Sequence, residues 1–80
     1  MRIAFTGPAI VENLHIERDH LVALAIERGH TVQKKVDSTT DLLVRSPEFA
    51  AKRYTVKARN SDQFGTNCIT PAQFLEMMLV

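Results

Sequence analysis

Few residues in this chain can do chemistry, and their spacing removes most of the chemistry at once. His15, His20 and His30 are scattered. No Ser-His-Asp or Cys-His arrangement follows from their positions, so each reads as a surface or helix-end residue. Cys68 is the single cysteine. It cannot form an internal disulfide, and with the histidines it cannot complete a four-ligand metal site. Its neighbours Asn67, Ile69 and Thr70 suggest a strand, in which a free thiol is expected to be a small buried hydrophobe. Glycines stand only at 7, 29 and 65, too few for a phosphate-cradling loop or a dinucleotide fingerprint. Neither a catalytic set nor a cofactor is expected. What remains is Thr6-Gly7. Ile3 and Phe5 fall on one face of an extended segment, and Gly7 permits a sharp exit and close approach of the backbone. The end of a buried first strand therefore presents a small polar corner.

A second feature is charge. Arg45, Lys52, Arg53, Lys57 and Arg59 lie within fifteen residues, opposed only by Glu48, in a chain of net charge +1. On one shared face these side chains could contact a DNA backbone, with binding that falls steeply with salt. The bland reading is a solvated helix whose charges face several ways. Phe49 reads as core as readily as a surface ring, and no aromatic platform for stacking single strands is evident.

The elements that must position these residues follow in order. After the first strand, Pro8 to Leu14 reads as a loop carrying at most a short turn. Ile16 to Arg28 predicts a helix: Leu21, Leu24 and Ala25 share a face, widened by Val22 and Ile26. Glu17 and Asp19 suit its start, Arg28 its end, and Gly29 its stop. His30 to Val36 predicts an edge strand, Asp37-Ser38-Thr39-Thr40 a turn, and Asp41 to Val44 a central parallel strand. Ser46-Pro47-Glu48 could open a helix that continues from Ala50 to Arg59, with Asn60 to Gln63 breaking the pattern. Thr66 to Ile69 is a last short strand. Thr70-Pro71 opens a terminal helix with Phe74, Met77 and Met78 on one face. The order β-α-β-β-α-β-α predicts an α/β fold: one small three-layer domain over residues 1–80, with a four-stranded, mainly parallel sheet flanked by three helices.

Size and composition agree. Eighty residues make one domain with a modest core. The apolar share of 45% and charged share of 24% are ordinary for a folded chain, and Trp is absent. No apolar run approaches the roughly 20 residues needed to span a bilayer. The N-terminus lacks the apolar region of a signal peptide, so a cytoplasmic location is expected, at the nucleoid or, in a eukaryote, the nucleus.

Five pieces in order resemble a BRCT domain of the single, bacterial or phage type. They are Phe5-Thr6-Gly7, Gly29-His30-Thr31-Val32, the segment Ser38 to Val44, Lys57-Ala58, and Ile69-Thr70-Pro71 followed by Phe74-Leu75. The resemblance covers essentially the whole chain. Phe74 stands at or beside the family's common Trp, Gly29-His30 replaces its small-residue pair, and the stretch from Arg45 to Lys57 is longer than in the bacterial ligase type.

The resemblance implies a non-catalytic binding module of DNA replication or repair. Many such domains hold a phosphate on a phosphoserine or phosphothreonine peptide. A hydroxyl residue and the following glycine N–H at the end of the first strand donate to it, and a lysine of the second helix supplies charge. Phosphate carries about −1.5 to −2 charges and three strong acceptors, so this combination suits it. Thr6 and Gly7 fall on the first two positions. Thr55-Val56-Lys57 is similar to the family's T-x-K pattern and makes Lys57 the cation. Lys52 is the rival if the helix begins at Pro47, which would leave Lys57 in the third turn, away from the positive end of the dipole. The partner would be a phosphorylated protein, or DNA through a 5′-phosphate or its backbone. Two other readings stay open: a docking domain that self-associates without phosphate, and the accessory end of a larger enzyme such as an NAD-dependent DNA ligase.

Overall fold

The computed structural model describes residues 1–11, 14–46 and 55–79. Its elements are β1 (Arg2–Thr6), β2 (Ala9–Val11), β3 (Leu14–Ile16), α1 (Arg18–Glu27), β4 (Thr31–Gln33), β5 (Leu42–Arg45), α2 (Val56–Phe64), β6 (Asn67–Ile69) and α3 (Pro71–Leu79). Strands β4-β1-β5-β6 form one four-stranded sheet, and each adjacent pair is parallel. Helices cover both faces, so the small three-layer α/β domain expected from the element order is what the chain forms.

Strand alternation divides the core. Ile3 and Phe5 of β1, with Leu42 and Val44 of β5, point to the face covered by α1 and α3. There they meet Leu21, Ala25, Phe74 and Met78. Phe5 and Phe74 pack edge to face, with ring centroids 5.2 Å apart. Ala4 and Leu43 point the other way and gather Val36; α2 packs against β1 and β5 on that side. Phe74, on α3, is fully buried.

Turn chemistry matches the residues. Asp37 accepts from the backbone and hydroxyl of Thr39 through Oδ1, which holds its carboxyl below the usual range although it is exposed. Thr70 Oγ1 accepts from the Gln73 N–H while Gln73 Oε1 accepts from the Thr70 N–H, a reciprocal cap that starts α3.

Several expectations are corrected. The stretch after Gly7 is a two-stranded antiparallel hairpin, with Ile10 opposite His15, rather than a loop. Ile16 belongs to that hairpin, so α1 starts two residues later than predicted. Ile26 is 59% exposed, because the buried stripe of α1 is narrow and centred on Leu21 and Ala25. The edge strand is limited to Thr31–Gln33, although Val36 beyond it is buried. Asn60 to Gln63 does not break a helix: it lies inside α2, where Ser61 is buried and returns its hydroxyl to the Ala58 carbonyl at 2.7 Å. Gly65, at φ 66°, ends that helix. Cys68 is exposed, because β6 is the sheet's edge. Met77 also faces outward, while Phe74 and Met78, one helical turn apart, are buried. The helix expected from Ala50 to Arg59 does not run through Thr55, whose extended backbone caps α2 so that it starts at Val56; the predicted start at Pro47 and the candidates Lys52, Arg53 and Phe49 lie outside the described residues.

Candidate functional site

Connections run from β1 to β4 on one side and from β5 to β6 on the other. The carboxyl ends of β1 and β5 are therefore the switch point of the sheet, where open α/β folds leave a crevice. Thr6 closes β1 there, opposite Arg45 of β5. Gly7 follows at φ 78°, a conformation that favours glycine and turns the chain away from the sheet.

On the other side of this corner α2 begins. Thr55 is its cap: its backbone is extended and its Oγ1 accepts the Ala58 N–H at 3.1 Å. Val56 is then the first helical residue and Lys57 the second, so Lys57 stands in the first turn, at the positive end of the helix dipole. The register of α2 thus removes the objection that Lys57 would be a third-turn residue. The same cap residue reaches β1, with the Thr6 and Thr55 hydroxyls 2.8 Å apart. Lys57 Nζ donates to the Phe5 carbonyl at 2.6 Å.

A further cation arrives from α1. Arg18, the first residue of that helix, donates from Nη2 to the Gly7 carbonyl at 2.8 Å. The Lys57 ammonium titrates below its ordinary value, first because it is part-buried and second because of the nearby Arg18 charge. Neither Arg18 nor Lys57 has a carboxylate within ion-pair distance among the described residues. Two like charges therefore converge on one corner, each held by a neutral carbonyl.

Thr6, Gly7, Thr55 and Lys57 are thus brought together. The basic stretch is not, as far as it is described. Arg45 pairs with Asp62 at 3.5 Å and points toward Cys68 Sγ. Arg59 is exposed and lies two residues from Lys57 on α2, about 200° around the helix. His15 and His20 are exposed, and His30 Nδ1 lies 3.0 Å from the Met1 ammonium. No cluster of metal-ligating side chains occurs among the described residues. Nor is any described helix long and apolar enough to cross a membrane.

Arg18 is the residue that sequence reasoning missed. Its signal was present: a cation in the first turn of a helix sits against the dipole, so local propensity does not account for it. Beside the corner, an open groove of about 350 Å³ runs between α1, β4 and the start of α2, lined in part by Arg18, Val22, Val32 and Lys57. A smaller cavity under Gly7 and Pro71, about 10 Å³, is large enough for one water at most.

Against models of known protein families the chain has no match, and no curated protein is similar to it at a significant level.

Proposed function

We propose that this domain is a non-catalytic binding module that recognises a phosphate group on a partner, in the manner of the BRCT domains it resembles, and that it serves DNA replication or repair in the cytoplasm or at the genome. The observation that carries the reading is the meeting of Thr6, Thr55 and Lys57 at the carboxyl end of β1, with Arg18 beside them. Thr55 already accepts from Ala58, so its hydroxyl hydrogen can go to Thr6. Thr6, itself buried, then keeps its hydroxyl hydrogen for a ligand. The N–H of Gly7 is the second donor that the resemblance implies. Lys57, on a flexible stem, swings from the Phe5 carbonyl to the anion. Binding would relieve the two causes that depress its pKa, since an anion offsets both lost hydration and the Arg18 charge. Phosphate also gains from the first-turn amides of α2. The partner is a phosphorylated protein or a DNA phosphate.

The test is an NMR titration of the domain with inorganic phosphate, a phosphothreonine peptide and 5′-phosphorylated DNA. Thr6→Ala and Lys57→Ala are each expected to weaken binding at least about tenfold, the size of one hydrogen bond to a charged group, with the fold intact by amide dispersion. Unchanged affinity in both variants sinks the reading.

A second reading, docking without phosphate, draws on exposed Leu14, Met77 and Leu79, which lie on the hairpin and α3. Self-association that strengthens with concentration and is lost in Met77→Lys, together with no response to phosphate, would favour it.

A further inference from the structure

The groove beside the corner has a composition of its own. Its floor includes Val22 of α1 and Val32 of β4; both are half-buried and pack on the main core. Its rim carries three cations, Arg18, Lys34 and Lys57, against one carboxylate, Asp19. At one end lies Phe5, whose carbonyl holds Lys57. An apolar trough therefore leads directly away from the proposed phosphate position, under a rim that is positive near the corner.

We infer that this groove takes an aliphatic side chain flanking the phosphorylated residue, so that the ligand is a phosphopeptide rather than a nucleic acid end. The inference rests on the phosphate reading above and adds the second half of the recognition. Charge complementarity places the phosphate at the Lys57 and Arg18 end. The valine floor then meets whatever is covalently attached to it. An aliphatic side chain matches that floor, because it loses apolar surface to water without stranding a polar group.

A nucleic acid end fits less well. Among the described residues lining the groove the one aromatic ring is Phe5. It is 4% exposed and engaged edge-on with Phe74, so no ring face is free to stack a base. Further phosphates along a strand would meet Asp19 as well as Lys34 on the rim. A peptide brings backbone N–H groups instead, which a carboxylate can accept. The amide of Gln33, also in the lining, is already engaged with the hydroxyls of Thr39 and Thr40. It holds the groove wall in place and leaves the valines to select.

The experiment uses the whole chain and a phosphothreonine peptide whose flanking residues are all glycine. Valine replaces each flanking glycine in turn, and NMR titrations compare these peptides with inorganic phosphate and a 5′-phosphorylated oligonucleotide. One valine peptide is expected to bind about tenfold tighter than the glycine parent, as burial of a single aliphatic side chain allows. That advantage should vanish in Val22→Thr and in Val32→Thr, near-isosteric changes on the groove floor, with inorganic phosphate affinity kept within about twofold. Equal affinity across the peptides, with phosphate still bound at Thr6 and Gly7, overturns this inference and leaves the phosphate reading standing. An oligonucleotide that binds tighter than every peptide overturns it in favour of nucleic acid. No phosphate response at all overturns both.

Discussion

Arg45 and Lys57 are both basic, and both lie near the carboxyl end of the sheet, Arg45 directly opposite Thr6 in the strand register. Their surroundings differ. Arg45 faces the carboxylate of Asp62, which projects from α2. Lys57 faces a backbone carbonyl and, beyond it, another cation. A carboxylate is a built-in counter-ion that any incoming anion must compete with. A carbonyl contributes only a partial charge and leaves most of the ammonium's field directed at the solvent. The direction of the Lys57 pKa carries the same message: its charged form is under-compensated in the folded chain. The comparison separates a basic residue that closes a structural contact from one that is poised for a ligand, a distinction that charge counting along the sequence cannot make.

The largest expected effect tests this contrast directly. Lys57→Ala should cost about 1.5–3 kcal/mol of phosphate binding, while Arg45→Ala should leave it within about twofold; NMR titration with inorganic phosphate reads both, and equal losses would erase the distinction. Next comes the residue that joins the two halves of the corner. Thr55→Ala removes the α2 cap and the partner of Thr6, and urea denaturation should show about 1 kcal/mol of lost stability. Serine at the same position should recover most of it; a threonine whose removal leaves stability untouched is not capping α2.

A pH series sharpens the comparison further. The folded pKa of Lys57 lies below its unfolded value, so between the two the unfolded chain binds more protons and stability rises with pH through that alkaline window. Phosphate affinity should fall over the same window, because the neutral amine no longer attracts the anion. Lys57→Met should abolish both trends, measured by denaturation and titration at several alkaline pH values. The smallest effect belongs to the other cation. With Asp62 55% exposed, a double-mutant cycle of Arg45→Ala and Asp62→Ala should give a coupling below about 1 kcal/mol; a much larger value would mark the β5–α2 contact as the stronger electrostatic feature.

The parts of the fold that were legible were those with strong local patterns. Alternation in Ile3-Ala4-Phe5 and the continuous apolar run Leu42-Leu43-Val44 marked strands whose faces are both covered. Asp37 to Thr40 marked a turn through its own side-chain bonds. The hairpin was not legible, because its three-residue strands are too short for any period to show. The burial of Ser61 and exposure of Cys68 inverted the usual preferences, since α2 covers the sheet and β6 borders it. The three-layer architecture therefore followed from element order, whereas individual exposures did not.

At the candidate site the division is similar. Two parts of the corner were legible locally: a strand period ending in Thr6 and a glycine able to take positive φ; Thr55 before Lys57 entered only through the family resemblance, and its role as the α2 cap did not show in the sequence. Local chemistry suffices for the first two, because strand faces and glycine turns depend on near neighbours. Which cations serve the corner depends on long-range packing of the folded chain. Arg18 reaches Gly7 from eleven residues away, and Lys57 reaches Phe5 from fifty-two. Arg45, strand partner of Thr6, turns to Asp62 instead. A cation's partner is set by where the folded chain brings carbonyls and carboxylates, and no spacing along the sequence encodes that distance.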